Sequence, residues 1–167
     1  MSECRIEVQR AIAASPSKIF ALLSDPRGHV EIDASGMLMS ATDPRVTAVG
    51  DRFDIEMDRD SLRDFDLGEY RVTVVIETFI QDQEIAWSID GVTQPPIGHI
   101  YGYRLQETEG GTLVSSYYDW ANTHPAHDEL VNKNFPIISE TTLLATLGIL
   151  ARTVAPGKSR PGAHRSN

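Results

Sequence analysis

Hydrophobic and polar residues alternate with period two through much of the chain, and the clearest case is "DRFDIEMD" at 51–58. There Phe53, Ile55 and Met57 interleave with Asp54, Glu56 and Asp58, which predicts a strand with one buried and one wet face. "EYRVTVVIETFI" at 69–80 is a longer strand with Tyr70, Val72, Val74 and Ile76 on one face, and "QDQ" turns it into "EIAWSID" at 84–90, where Ile85, Trp87 and Ile89 share a face. "RIEVQRAIAA" opens the series as a strand ending near Ala13, and "GMLMSA" at 36–41 is a short one. After the loop "GVTQPP" come "IGHIYGYRL" and "TLVSSYYDW", separated by "ETEGG" with a turn at Gly110-Gly111. The charged stretch "RDSLRDFDLG" at 59–68 is too long for a tight hairpin, and a solvated face is its default reading.

Two segments have the helical period instead. In "SPSKIFALLSDP", Ser15 is a good N-cap, Pro16 suits the first helical position, Ile19, Phe20, Leu22 and Leu23 make a stripe, and Pro26 stops the helix. A short helix over 26–32 follows from the Asp25-Pro26 start. Near the C-terminus, a helix is expected from Pro136 in its first turn to Arg152 near its end, with Leu143, Leu144, Leu147, Leu150, Ala151 and Val154 in one broad stripe and Ile137, Ile138, Ala145 and Ile149 on other faces. Such a helix, roughly 19 residues or 28 Å long, must be enclosed. The expected order is strand, two helices, some six strands and a long helix, an α+β arrangement in which a curved antiparallel sheet covers the last helix.

Composition narrows the partners. Fifteen basic against 24 acidic side chains leave a net charge of −9, which repels phosphate backbones and argues against nucleic acid. The longest apolar stretch, "LLATLGILA" at 143–151, is too short to span a bilayer, and no secretory leader is expected at the start. Cys4 is the only cysteine, so no internal disulfide is possible, which suits a cytoplasmic location. No repeat divides the chain; one domain over 1–155 and a disordered tail over 156–167, "PGKSRPGAHRSN", are expected.

The element order, together with "VQRAIAASPSKIFALLSDP", "HVEIDASG", "VGDRFDIEM", "VIETFIQDQEIAWSI" and "GGTLVSSYYDW", resembles the START-like superfamily, also called Bet v 1-like or SRPBCC. The resemblance covers roughly residues 4–155 and is greatest to bacterial polyketide cyclase/dehydrase-type proteins, including actinobacterial ones. It implies a helix-grip fold with a hydrophobic cavity between sheet and C-terminal helix. The superfamily includes polyketide cyclases, lipid and hormone carriers and chaperone activators, and it has no universal catalytic set. It implies no cofactor, and it assigns no catalytic role to Asp33 of "EIDASG".

In such a fold the odd positions of 97–105 would face the cavity, so that His99, Tyr101 and Tyr103 line it with Trp87, Tyr70 and Met57. That is the make-up of a small-molecule pocket, apolar with a few polar tips. Ordinary packing of strand tyrosines is the competing reading. Tyr117 and Asp119 share a parity on the next strand. Turned inward, Tyr117 would join the ligand-binding wall and Asp119 would orient His99, the one histidine placed mid-strand, with Glu140 reaching the same space. His99 or Asp119 as base and Tyr101 or Tyr103 as donor would then suit an aldol-type cyclase, against the simpler reading of His99 as a structural imidazole. "HPAHDE" at 124–129 and "HVEID" with His29, Glu31 and Asp33 contain metal-ligand types without a ligand spacing, so no metal is expected; Asp128 is better a helix cap or first-turn acid and "HVEID" a polar loop at the cavity mouth. No phosphate loop, nucleophile elbow or dinucleotide fingerprint occurs. Three readings stand: a carrier of a small hydrophobic molecule, a cofactor-free cyclase or dehydratase, and an interaction protein with a vestigial cavity, as monomer or homodimer.

Overall fold

A computed structural model describes residues 3–158 and 160–162. Seven strands, β1 (Arg5–Ile12), β2 (Leu38–Ser40), β3 (Arg52–Asp58), β4 (Glu69–Ile80), β5 (Glu84–Asp90), β6 (Ile100–Thr108) and β7 (Gly111–Asp119), form one antiparallel sheet in the order β1-β7-β6-β5-β4-β3-β2. Helices α1 (Pro16–Leu23) and α2 (Pro26–Ile32) follow β1, a single 3-10 turn at Pro125–His127 leads into α3 (Asp128–Asn134), and α4 (Glu140–Val154) closes the chain. The α+β architecture is the one expected.

Local chemistry sets the helix ends. Ser15 caps α1 by accepting from the Lys18 amide at 3.2 Å, and Asp25 caps α2 by accepting from Arg27 at 3.1 Å. The two helices touch where Gly28 meets the end of α1: a Cβ at Gly28 would stand 1.9 Å from the Leu22 carbonyl oxygen. Because backbone blocks it, Gly28→Ala should lower stability by about 1–3 kcal/mol, read as a drop in the urea midpoint without a change of slope. An unchanged midpoint would mean that the α1–α2 contact is soft.

The last helix starts later than the Pro136 signal suggests. Ser139 is the N-cap, accepting from the Thr142 amide at 3.2 Å, so residues 136–138 precede the helix. Leu143, Leu147, Leu150, Ala151 and Val154 are buried, while Leu144 is 46% exposed. The helix is thus covered on one face only, against β1, β7, α1 and α2, and is not enclosed around its girth.

A bulge bends the sheet. Ile76 pairs with Trp87 but Thr78 with Ala86, so Glu77 is the extra residue on β4. It shifts the inward phase: Phe79 packs edge-on against Phe20 at 5.2 Å, and Ile80 is left largely exposed. Of the C-terminal stretch expected as a tail, residues 159 and 163–167 lie outside the described residues; Pro161 lies beside Gly110 and Gly111, where the turn is Glu109-Gly110, one residue earlier than the glycine pair suggests, because Gly111 already pairs with Thr108. No helix among the described residues is long and apolar enough to cross a membrane.

Candidate functional site

Between the concave face of the sheet and the helices lies a cavity of about 360 Å³. Its size is within the range of small-molecule sites. Met57 (β3), Tyr70 (β4), Trp87 (β5) and Tyr101 and Tyr103 (β6) line it, as does His99. The aromatic wall is continuous. Trp87 stacks on Tyr101 with centroids 6.0 Å apart and a 14° angle between planes, and Tyr101 stacks on Tyr118 at 4.3 Å and 15°.

Tyr117 and Asp119 are not part of this wall. β6 pairs Tyr101 with Tyr118 and Tyr103 with Ser116, so odd positions on β6 share a face with even positions on β7. The cause is the two-residue turn, Glu109-Gly110, with Gly110 at φ +79°. Tyr117 therefore lies on the outer face across Gly102, where a Cβ would stand 2.3 Å from its ring. Its hydroxyl donates to Glu84 at 2.6 Å, and the guanidinium groups of Arg5 and Arg104 sit over its ring at 4.3 and 5.1 Å. Burial, then Glu84, push the Tyr117 phenol above its usual pKa. Asp119 accepts from Arg5 at 3.1 Å on the same outer face. Glu140 is exposed at the start of α4 and is not among the cavity residues. The His99–Asp119 acid-base pair does not form.

His99 is also not mid-strand: it precedes Ile100, the first residue of β6, and follows Gly98 at φ +89°. Its Nδ1 lies 2.7 Å from the Tyr118 hydroxyl, which is close to the Tyr101 phenol and the Ile137 amide. Desolvation, then the Arg59 charge, lower the His99 pKa to about 4, so the imidazole is neutral near pH 7. Burial pushes the Tyr101 phenol up to about 12 and the Tyr103 and Tyr118 phenols higher as well. The set is neutral, and its one short hydrogen bond joins His99 to Tyr118.

Three ionisable residues beyond the aromatic wall also line the cavity, and each stands on a segment expected to be wet. His29, in α2, is buried against Trp87 and Phe53 in edge-on contacts at 4.7 and 5.2 Å, and its Nε2 bonds to the Leu23 carbonyl at 2.7 Å. Desolvation lowers its pKa to about 4 despite that bond and the nearby Asp25. Arg59, in the charged connection, is only 8% exposed. It donates to both Asp64 oxygens, at 2.8 and 2.7 Å, and to the Tyr70 hydroxyl at 3.1 Å. Burial alone would lower its pKa, but the bonds to Asp64 and Tyr70 outweigh it and hold the pKa above the ordinary value. Asp64 is held below the usual carboxylate range by the same contact. Asp33 fixes the loop after α2: its oxygens accept from the Ser35 amide and hydroxyl and from the Gly36 and Leu38 amides, at 2.7–3.2 Å. The "EIDASG" segment is thus a loop anchor at the cavity.

The metal-ligand types are dispersed. Glu31 is exposed, whereas His29 is inside. His124 accepts from the Ala126 amide, His127 bonds to the Pro95 carbonyl at 2.6 Å, and Asp128 sits in the first turn of α3. Among the described residues no group of three or more His, Cys, Asp or Glu is arranged to hold a metal ion.

No family model matches the sequence, and no curated protein matches it either. Solved structures do. A protein from Chromobacterium violaceum is similar with TM-score 0.65 and 17% identity, covering 92% of this chain and 98% of that one. A Mycobacterium smegmatis protein is similar with TM-score 0.66 and 14% identity over 90% of each chain. The Aha1 dimer from Colwellia psychrerythraea matches with TM-score 0.58 and 21% identity over 92% of this chain and 98% of that one. At these identities the likeness is one of fold, and with the sheet order and the C-terminal helix described above it is the helix-grip arrangement.

Proposed function

We propose that the chain binds a small hydrophobic molecule, polyketide-, lipid- or aromatic-like, in the cavity under α4. One observation carries this reading: the space between sheet and helix is open, about 360 Å³, and its wall is a run of stacked aromatic rings interrupted by few polar groups. A vestigial cavity would be filled by its own side chains. A cyclase or dehydratase would need a base other than a His99–Asp119 pair, since Asp119 is bound to Arg5 on the far face.

The test is native mass spectrometry of protein purified from its own host, with solvent extraction of what is bound, followed by titration with the uncharged fluorescent probe N-phenyl-1-naphthylamine. We expect a stoichiometric apolar molecule. Tyr101→Ala, which removes the ring stacked between Trp87 and Tyr118, should weaken probe binding on the order of tenfold. Tyr117→Phe, on the outer face, should leave binding unchanged. An empty protein that ignores apolar probes, or equal effects of the two substitutions, would overturn the reading.

A further inference from the structure

Besides His99 and the tyrosines of β6, two parts of the cavity's polar lining have opposite hydrogen-bonding character. Arg59 has five N–H donors. Three are used, two on Asp64 and one on Tyr70, which leaves one on each terminal nitrogen without a protein partner. Tyr70 accepts from Arg59, so its own O–H is left to donate. The groups left free at this end are donors, because Asp33, which also lines the cavity, already accepts four bonds from its own loop. Asp64 neutralises the guanidinium, and the chain's net charge of −9 does not favour a free anion.

The other end is an acceptor. A carbonyl oxygen only accepts, so the 2.7 Å contact from His29 Nε2 to Leu23 fixes the proton on Nε2. With the imidazole neutral, Nδ1 is a bare acceptor without a protein partner, on a residue that lines the cavity. The two ends are separated along β3. His29 packs on Phe53, whereas Met57 pairs with Tyr70, four strand residues or about 13 Å further on, with Arg59 two residues beyond. The apolar wall of Trp87 and Tyr101 lies between.

From this polarity we propose that the cavity selects an elongated, uncharged, mostly apolar molecule with a carbonyl at one end, taken by Arg59 and Tyr70, and a hydroxyl at the other, taken by His29. The inference rests on the binding reading above and adds the ligand's polarity. A carbonyl satisfies N–H donors that are already charge-balanced, while a carboxylate would bring an uncompensated charge into an apolar site. A hydroxyl gives Nδ1 the proton it lacks.

Four naphthalene probes test it: unsubstituted naphthalene, acetylnaphthalene, naphthol, and acetylnaphthol with its two groups at opposite β positions. Affinities come from fluorescence titration of the intact chain. We expect acetylnaphthol to bind tightest, with each polar group improving affinity about 5- to 10-fold, the worth of one good hydrogen bond. Arg59→Met and Tyr70→Phe should erase the acetyl increment and keep the hydroxyl increment. His29→Phe should do the reverse. If all four probes bind alike to the unaltered chain, the binding reading survives and the polarity is overturned. If none binds, naphthalene included, both fall. The comparison of probes on the unaltered protein needs no variant, so a misfolded His29→Phe does not spare the proposal.

Discussion

Trp87→Ala should cost about 3 kcal/mol of stability and abolish tight binding of an apolar ligand. The indole is nearly buried, 9% exposed, and holds three rings at once: His29 at 4.7 Å, Tyr103 at 5.8 Å and Tyr101 at 6.0 Å. Removing a fully packed aromatic typically costs about 3–5 kcal/mol. The lower end applies because one side of Trp87 already faces the cavity, so fewer contacts are lost than in a sealed core. The loss should appear as a lower urea midpoint with an unchanged slope. Trp87→Phe keeps a ring in place and should lose about half as much. Indole added at millimolar concentration should stabilise Trp87→Ala more than the unaltered protein, because it refills the space the substitution opens. A stability loss below about 1 kcal/mol would show that the aromatic wall closes over the gap, and the cavity is then not held open by Trp87.

How much of this was legible before the structure depends on whether a local pattern was enough. β4 and β5 run over 69–80 and 84–90, as the alternation predicts, because side chains on a one-sided sheet must separate by polarity. The caps at Ser15 and Asp25 were readable for the same local reason. The bulge at Glu77 was not, since nothing in "VIETFI" distinguishes an extra residue from a continued strand until Trp87 and Ala86 fix the register. Six of the wall residues follow from parity. Tyr117 and Asp119 were misplaced, although a two-residue turn couples odd positions on one strand to even positions on the next and was itself visible in "ETEGG". Arg59 was hidden by its neighbours' charges. Yet it continues the inward phase of Phe53, Ile55 and Met57, and that phase was the signal that could have found it. His29 had no such signal: a histidine in a seven-residue helix shows its buried face only when Trp87 and Phe53 arrive from distant strands. Burial by remote elements is a property of the tertiary structure and leaves no mark on a local pattern.

Between pH 6.5 and 4 the protein should lose several kcal/mol of stability, and the loss should belong to two histidines. His29 and His99 both titrate at about 4 in the folded chain, chiefly because burial penalises the imidazolium, whereas an unfolded histidine titrates near 6.5. As pH falls below 6.5 the unfolded state takes up protons that the folded state refuses. Stability therefore falls with falling pH and is fully present only above the unfolded pKa. Each histidine contributes a slope of up to about 1.4 kcal/mol per pH unit and about 3 kcal/mol over the whole window, after which the folded state protonates too and the contribution levels off. The surrounding charges set the balance: Asp25 faces His29 and lessens its shift, while Arg59 adds to the shift of His99. Ion-paired carboxylates act lower on the scale, since Asp64 and Asp90 have pKa values below 3.8 and give up their stabilisation only as pH falls through them. The two windows are thus separable in urea titrations at pH 7.5, 6.0, 5.0 and 4.5. His99→Gln retains a polar group opposite Tyr118 and should halve the slope between 6 and 5 while lowering stability at pH 7.5 by no more than about 1–2 kcal/mol. A stability profile flat from pH 7 to 5 would show that the imidazoles are reached by water in the folded chain, and with that the dry, neutral lining on which ligand selection depends would be lost.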